Sequence, residues 1–355
     1  MKKIKLGLIF GGKSGEHEVS IKSAKEVMDN LDSRKYLVVP IAITKAGHWF
    51  VGNKGHAYMR RNLPKAHVAG GVGIERSSIA EKGAGLAKIS GGADDLELDL
   101  IFPMGHGTYI EDGKLQGMLE MLGLPYLFSG TLASALAMNK QKTKLVAKHA
   151  GLKIAKEVII IKDKKYDLEK IIKKLGLPVV VKPVEAGSSV GTSICKKKSE
   201  LNKAIAGAFL FGQEILLEQF IKGREFTVAV MGSRKPQALP VIEIIPKTSA
   251  FFSYEAKYKS GGSEEICPAD IPDEIRKKLQ DYAIKIFQAL GCDDLARADF
   301  IWSEKDKKLY FLEINTIPGM TSASLAPKAA KAAGMTFEQF LDQLIALALE
   351  RHKIK

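Results

Sequence analysis

Short apolar, β-branched runs that end in glycine-rich turns and lead into helical periods recur along the chain, and this alternation constrains the fold most. Lys5 to Phe10 reads as a buried strand, Gly11 to Gly15 as a turn, and Val19 to Leu31 as a helix with Ala24, Val27, Met28 and Leu31 on one face. Tyr36 to Ile43 and Leu98 to Phe102 are further strand-like runs, so the N-terminal part predicts a small α/β domain. The Gly-rich, charged stretch 68–93 reads as a surface excursion. Leu132 to Ala150 has a helical pattern. A second α/β unit follows, with strands at Ile154 to Ile161, Val179 to Lys182 and Ile215 to Gln219 and a helix at Asp167 to Leu175. Beyond it come a strand from Glu225 to Met231, a polar loop from Thr248 to Glu265, a helix from Pro272 to Leu290, and strands at Leu295 to Trp302 and Leu309 to Ile314. The last helix opens on the capping box Thr336-x-x-Gln339 and carries Phe337, Phe340, Leu341, Leu344 and Ile345 on its buried face. A length of 355 residues predicts two or three domains, and three fit this order best: 1–130, 131–220 and 221–355.

Composition removes several classes. Apolar residues at 46% and charged residues at 26% exclude whole-chain disorder, collagen and coiled coil. Cys195, Cys267 and Cys292 are scattered and odd in number, so neither a disulfide framework nor a zinc site is indicated, which fits a reducing cytoplasm. No run has signal-peptide form or reaches the twenty or so apolar residues of a membrane span. The formal charge of +14 invites a polyanion reading. The lysines are spread along the whole chain, however, without an arginine-rich block or a basic arm, so a solvated basic surface around a nucleotide pocket is expected in place of nucleic-acid binding.

Asp299, Glu313 and Asn315 are the most informative group, because each puts an oxygen-bearing side chain into an otherwise apolar strand. Glu313 and Asn315 are two apart and share a strand face. Should Asp299 lie on the adjacent strand and point the same way, three hard oxygen ligands suited to Mg2+ bridged to phosphates converge; half-exposed strands with polar outward positions are the alternative. Lys182 ends an apolar run and precedes Gly187-Ser188-Ser189-Val190-Gly191, a loop whose N–H groups and hydroxyls could hold phosphate beside a lysine charge. No GK[ST] closes it, so it is not a Walker A loop, and such a loop alone is also compatible with a plain hairpin. At the first Gly-rich turn Glu16 would repel phosphate and attract an amine, or merely complement the helix dipole. His106-Gly107 and Glu111-Asp112-Gly113 follow a strand end, where α/β sheets build binding crevices, a purely structural histidine being the alternative. Arg297, on the strand of Asp299, could face a carboxylate or an oxyanion, or form a surface ion pair.

These residues stand within a longer set: GGKSGEHEVS (11–20), HGTYIEDGKLQGMLE (106–120), GLPYLFSGTLASALAMNK (123–140), VVVKPVEAGSSVGTS (179–193), EQFIKGREFTVAV (218–230), YEAKY (254–258), ICPADI (266–271), RADF (297–300) and LEINTIPGMTSASL (312–325). In this order and spacing the chain closely resembles the D-alanine:D-alanine ligases of the ATP-grasp superfamily. The resemblance implies a three-domain ATP-grasp fold, α/β (α+β), with a Rossmann-like N-terminal domain. It also implies an ATP-dependent, ADP-forming ligation of two D-alanines through an acyl phosphate, for peptidoglycan synthesis in the cytoplasm. Residue by residue, Asp299, Glu313 and Asn315 match the family's ligands for magnesium, with two ions expected and Mn2+ possible. Lys140, Lys182 and Lys257 match the lysines on ATP phosphates, and Ser189 belongs to the phosphate loop. Glu218, Phe220 and Ile221 match the adenine border and Glu225 the ribose-binding glutamate. Glu16 matches the carboxylate that receives the first D-alanine, with His106 nearby. Arg297 and the Gly319 backbone match the oxyanion pair, and Ser324 and Leu325 the second D-alanine's pocket. Tyr258, Ser188 and Glu16 match a hydrogen-bonded triad that favours an amine as second substrate.

Two positions depart from the family pattern: Ile110 and Phe128 stand where glycine is usual. Both lie on the first-substrate side and leave room for a related ligase acting on another amino or hydroxy acid, such as D-lactate. A non-catalytic nucleotide- or nucleic-acid-binding protein is the competing reading from another class. The resemblance also implies a homodimer, and the loop 248–265, which carries Lys257, Tyr258 and Gly261-Gly262, is expected to close over the substrates.

Overall fold

The computed structural model describes residues 2–63, 97–187, 190–247 and 262–353. The 68–93 stretch, Ser188, Ser189, Lys257 and Tyr258 and most of the 248–265 loop therefore lie outside the described residues.

The chain starts as expected, with β1 (Ile4–Gly11), α1 (His17–Asn30) and β2 (Tyr36–Ile43), then adds β3 (Trp49–Val51), α2 (Asn53–Asn62) and β4 (Leu100–Pro103). The sheet order is β3-β2-β1-β4, parallel except for β3. Gly11, at φ +89°, turns the chain out of β1 where a Cβ would collide with the Ile43 carbonyl oxygen, so a side chain is excluded there. The switch from strand to helix thus places Glu16 and His106 beyond the carboxyl ends of β1 and β4, the usual crevice of a parallel sheet.

After α3 (Lys114–Met121), the helical pattern expected from Leu132 to Ala150 is broken into α4 (Thr131–Met138) and α5 (Lys140–His149). Asn139 makes the break. Its extended backbone ends α4, and its side-chain oxygen accepts the Lys142 N–H at 3.0 Å, capping α5. Next come β5 (Glu157–Ile161), α6 (Leu168–Leu175), β6 (Val179–Pro183), β7 (Ser193–Cys195), α7 (Lys198–Ala208) and β8 (Glu214–Gln219), an antiparallel sheet ordered β5-β8-β6-β7. Asp167 caps α6 through bonds from the Glu169 and Lys170 N–H groups.

The third sheet contains β9 (Gly223–Met231), β10 (Gln237–Ala238), β11 (Ile242–Pro246) and β12 (Ser263–Ile266), followed by α8 (Asp273–Ala289), β13 (Leu295–Ser303) and β14 (Leu309–Asn315). Its order is β12-β11-β9-β13-β14, with β10 on β9. One face, with Phe226, Val228, Ala298, Phe300, Phe311 and Ile314, packs on α8 and on alanines of α4 and α5. The chain closes with α9 (Leu325–Ala332) and α10 (Phe337–Lys353), whose capping box forms in both directions between Thr336 and Gln339. Phe340, Leu341, Leu344 and Ile345 of α10 are buried in one core with the first sheet, as their spacing predicts.

Candidate active site

Opposite the α8-packed face of the third sheet, strand pairing gathers the acidic group. Asp299 is directly across from Glu313, and Arg297 directly across from Asn315. Residues two apart on a strand share a face, so all four side chains leave the sheet on the same side. A bulge between these pairs and Phe300–Phe311 inserts Leu312 as an extra residue on β14. Without it, Phe311 would share the face of Glu313. With it, Phe311 turns into the core and meets Phe300 edge-on at 5.8 Å. Arg297 grips Asp299 with two bonds, Nε to Oδ1 and Nη2 to Oδ2, each 3.0 Å. Thr227, facing Asp299 from β9, donates its hydroxyl to Oδ1 at 2.5 Å. Glu225 is two residues before Thr227 on the same face.

The lysines converge from two other elements. Lys140 and Lys144 lie four apart on α5, one turn above each other. Lys140 Nζ donates to the Ala186 carbonyl at 2.5 Å and comes to 3.9 Å from Glu313 Oε2. Lys182 leaves β6 and pairs with Glu218 Oε2 at 2.5 Å. Its near-complete burial pushes its ammonium down to about 8, against the pull of the Glu313 charge. Lys144, wholly buried, pairs with Glu218 Oε1 and stands 3.8 Å from Glu157 Oε2. Burial, then the nearby Lys182 charge, holds Lys144 well below the usual lysine range. Phe220 and Ile221 continue half-buried from the end of β8, the Phe220 N–H donating to the Pro178 carbonyl at 3.2 Å.

On the N-terminal side, Glu16 is buried at the entrance of α1 but makes no side-chain cap bond. At that position its carboxylate also complements the helix dipole, the alternative expected from the sequence. His106 is buried beside Glu111, with Nδ1 3.5 Å from Oε1, while Glu111 Oε2 accepts the Gly107 N–H at 2.6 Å. Burial opposes charge on His106, but the Glu111 hydrogen bond and the charges of Glu111 and Glu16 outweigh it and raise its pKa. Gly187 joins the two sides: a Cβ there would lie 3.5 Å from Glu16 Oε2 and 3.6 Å from Glu111 Oε2, while the neighbouring Ala186 carbonyl holds Lys140. Gly319 and Ser324 lie in the turn between β14 and α9. Ser324 Oγ accepts the Thr321 N–H at 3.1 Å and would lie 2.9 Å from a Cβ on Gly319. Leu325, next to Ser324, is buried.

The arrangement thus brings together Lys140, Lys182, Glu218, Asp299, Arg297, Glu313 and Asn315, and places Glu16 and His106 on the other side of Ala186-Gly187. The sequence reading missed Thr227, Lys144 and Glu157. Only Lys144 left a signal, its spacing of four from Lys140.

The chain matches a family model described as D-ala D-ala ligase N-terminus over residues 5–129 and one described as D-ala D-ala ligase C-terminus over residues 146–346. It is 39% identical over 366 residues to the D-alanine–D-alanine ligase A of Salmonella typhimurium, covering 99% of this chain and 97% of that protein. The chain belongs to the D-alanine–D-alanine ligase family. Solved structures of ligases carry the same fold. The VanG D-Ala:D-Ser ligase from Enterococcus faecalis aligns with a TM-score of 0.81 at 33% identity, covering 98% of this chain and all of that one. The D-alanine–D-alanine ligase from Bacillus anthracis complexed with ATP aligns with a TM-score of 0.74 at 30% identity, covering 99% of each chain. The ATP-grasp fold expected from the sequence is thereby established.

The two positions at which this ligase-family chain departs from glycine are both buried. Ile110 fills the space over Gly105 and Gly12, where a Cβ on Gly105 would collide with its Cδ1. Phe128 adopts φ +79°, meets Phe102 edge-on at 5.7 Å and donates its N–H to Asp294 at 2.8 Å.

Proposed function

We propose that the protein joins two D-alanines to D-alanyl-D-alanine for peptidoglycan synthesis, converting ATP to ADP and phosphate. The observation that carries this reading is the direct pairing of Asp299 with Glu313, with Asn315 two residues on and cations on either side.

Phosphoryl transfer asks little covalent chemistry of a protein and mainly needs positioning and charge neutralisation. In this reading Lys140, Lys182 and Lys257 hold the ATP phosphates with the loop that contains Ser189. Glu218, Phe220 and Ile221 border the adenine, and Glu225 takes the ribose hydroxyls. Among the described residues no three His, Cys, Asp or Glu side chains form a ready-made metal cage. Two carboxylates and an amide on one strand face nevertheless fit Mg2+, which is commonly held by one or two carboxylates and substrate phosphates. Asp299, Glu313 and Asn315 would hold it, two ions in all, with Mn2+ as a substitute; bound there, the metal neutralises the phosphates during transfer.

Glu16 receives the ammonium of the first D-alanine, with His106 beside it, and the carboxylate of that alanine attacks the γ-phosphorus, releasing ADP and forming an acyl phosphate. The second D-alanine, in a pocket walled by Ser324 and Leu325, attacks the acyl carbon through its free amine. Arg297 and the Gly319 N–H stabilise the resulting oxyanion. Collapse expels phosphate and leaves the peptide bond. Ser188, Tyr258 and Glu16 act together in presenting the second substrate as an amine, and the 248–265 loop excludes water from the acyl phosphate. We further place the protein in the cytoplasm, as a homodimer whose subunits divide into units 1–130, 131–220 and 221–355. Among the described residues no helix is long and apolar enough to cross a membrane.

The test is phosphate release by pure protein given ATP, Mg2+ and D-alanine. Release strictly dependent on D-alanine, with the dipeptide as product, and its abolition in a folded Glu313→Ala variant are expected. Release only with other amino or hydroxy acids, or none at all, rejects the assignment.

A further inference from the structure

Across the β5–β8 pairing, Glu157 stands directly opposite Glu218. Like charges in that relation destabilise a sheet unless a cation is placed between them. Lys144 reaches both from α5, pairing with Glu218 and lying 3.8 Å from Glu157, and its side chain is fully buried. A lysine seldom occupies such a position unless paired, because its charge must be desolvated. Among the described residues the only other cation on Glu218 is Lys182, at 2.5 Å. Lys182 is also one of the three lysines proposed above to hold the ATP phosphates. When its ammonium turns to the phosphates, Glu218 loses one of its two partners while Glu157 still faces it.

We infer that Lys144 is a positioning residue of the nucleotide pocket: it neutralises the opposed Glu157–Glu218 pair, keeping Glu218 in place at the adenine border and releasing Lys182 to ATP. The inference rests on the ATP pocket proposed above. It assigns Lys144 no contact with substrate, so its removal should weaken nucleotide binding and leave the chemical step alone.

Michaelis constants and ATP binding by calorimetry are measured for wild type, Lys144→Met, Lys144→Arg and the double variant Lys144→Met/Glu157→Gln. Because removing one partner of a buried pair leaves an uncompensated charge, Lys144→Met should raise the KM and Kd for ATP by about tenfold or more. Its kcat and its KM for D-alanine should move less than about threefold. Lys144→Arg, which keeps the cation, and the double variant, which removes the excess negative charge, should return both ATP constants to within about threefold of wild type. A protein that merely lost packing would not recover when Glu157 is neutralised. A folded Lys144→Met with wild-type ATP constants, a loss carried by kcat alone, or a folded double variant as weak as the single one overturns the inference. If Lys144→Met does not fold, the double variant's ATP constants decide on the same thresholds. Failure of the ligase reading is distinguishable, since it appears as wild-type protein without D-alanine-dependent turnover while calorimetry still compares ATP binding among the variants.

Discussion

Single residues set the charge state of the pocket. Lys182 is a lysine whose ammonium burial lowers to about 8 from an ordinary value of 10.5. In its proposed role the protonated form binds phosphate; it dominates below that value and is lost as pH rises through it. The KM for ATP should therefore rise several-fold between about pH 7 and pH 9, and Lys182→Met should have a high KM without that pH dependence. A wild-type KM that stays flat over this range would contradict the assignment. At this scale the sequence was informative where a polar residue violated its surroundings. Asp299, Glu313 and Asn315 stand out because apolar neighbours surround them, and Lys182 because it ends a valine run. Thr227 and Glu157 were silent, since a threonine or a glutamate in a strand is unremarkable until a partner far along the chain is known. Thr227 meets Asp299 across 72 positions.

At the scale of elements, periodicity located strands and long helices, while short ones escaped. The three-residue β3 and the helix α9 with its run of alanines carry too little pattern to separate from loop. The break between α4 and α5 escaped because apolar spacing continues through it, and only the residue type of Asn139 marks it. That residue also donates to Glu185 at 2.7 Å, tying the start of α5 to the segment whose Ala186 carbonyl holds Lys140. Asn139→Ala should cost about 1 kcal/mol, the usual value of an N-cap, seen as a lower urea midpoint. Because Lys140 is the first residue of that helix, the same variant should also raise the KM for ATP. A stability loss with unchanged ATP affinity would separate the cap from the site.

Over the whole molecule, α10 ties the C-terminal part to the N-terminal sheet. Arg351 bonds the Tyr126 carbonyl at 2.5 Å and Asp294 at 3.0 Å, and Asp294 also receives the Phe128 N–H. Contacts across 225 positions leave no trace in local pattern, so this clamp was not legible, although the buried face of α10 was. Asp294 is inaccessible to solvent, and burial raises its carboxyl to about 7 despite Arg351. Arg351→Ala removes a charge partner from a buried carboxylate and should destabilise by about 3–5 kcal/mol in urea unfolding. Below that pKa the folded state holds a proton that the unfolded state releases, so stability gains as pH falls and the variant's deficit should be smaller at about pH 6 than at about pH 8. An equal deficit at both would show that Asp294 is not the group left unpaired. A last consequence concerns Lys140, Lys144 and Lys182, each of which already has an internal anion or carbonyl. In the proposed pocket, nucleotide entry is then an exchange of counter-ions inside the protein, not a capture by bare positive charge. Dissolved salt, which screens buried pairs much less than exposed ones, has little to compete for.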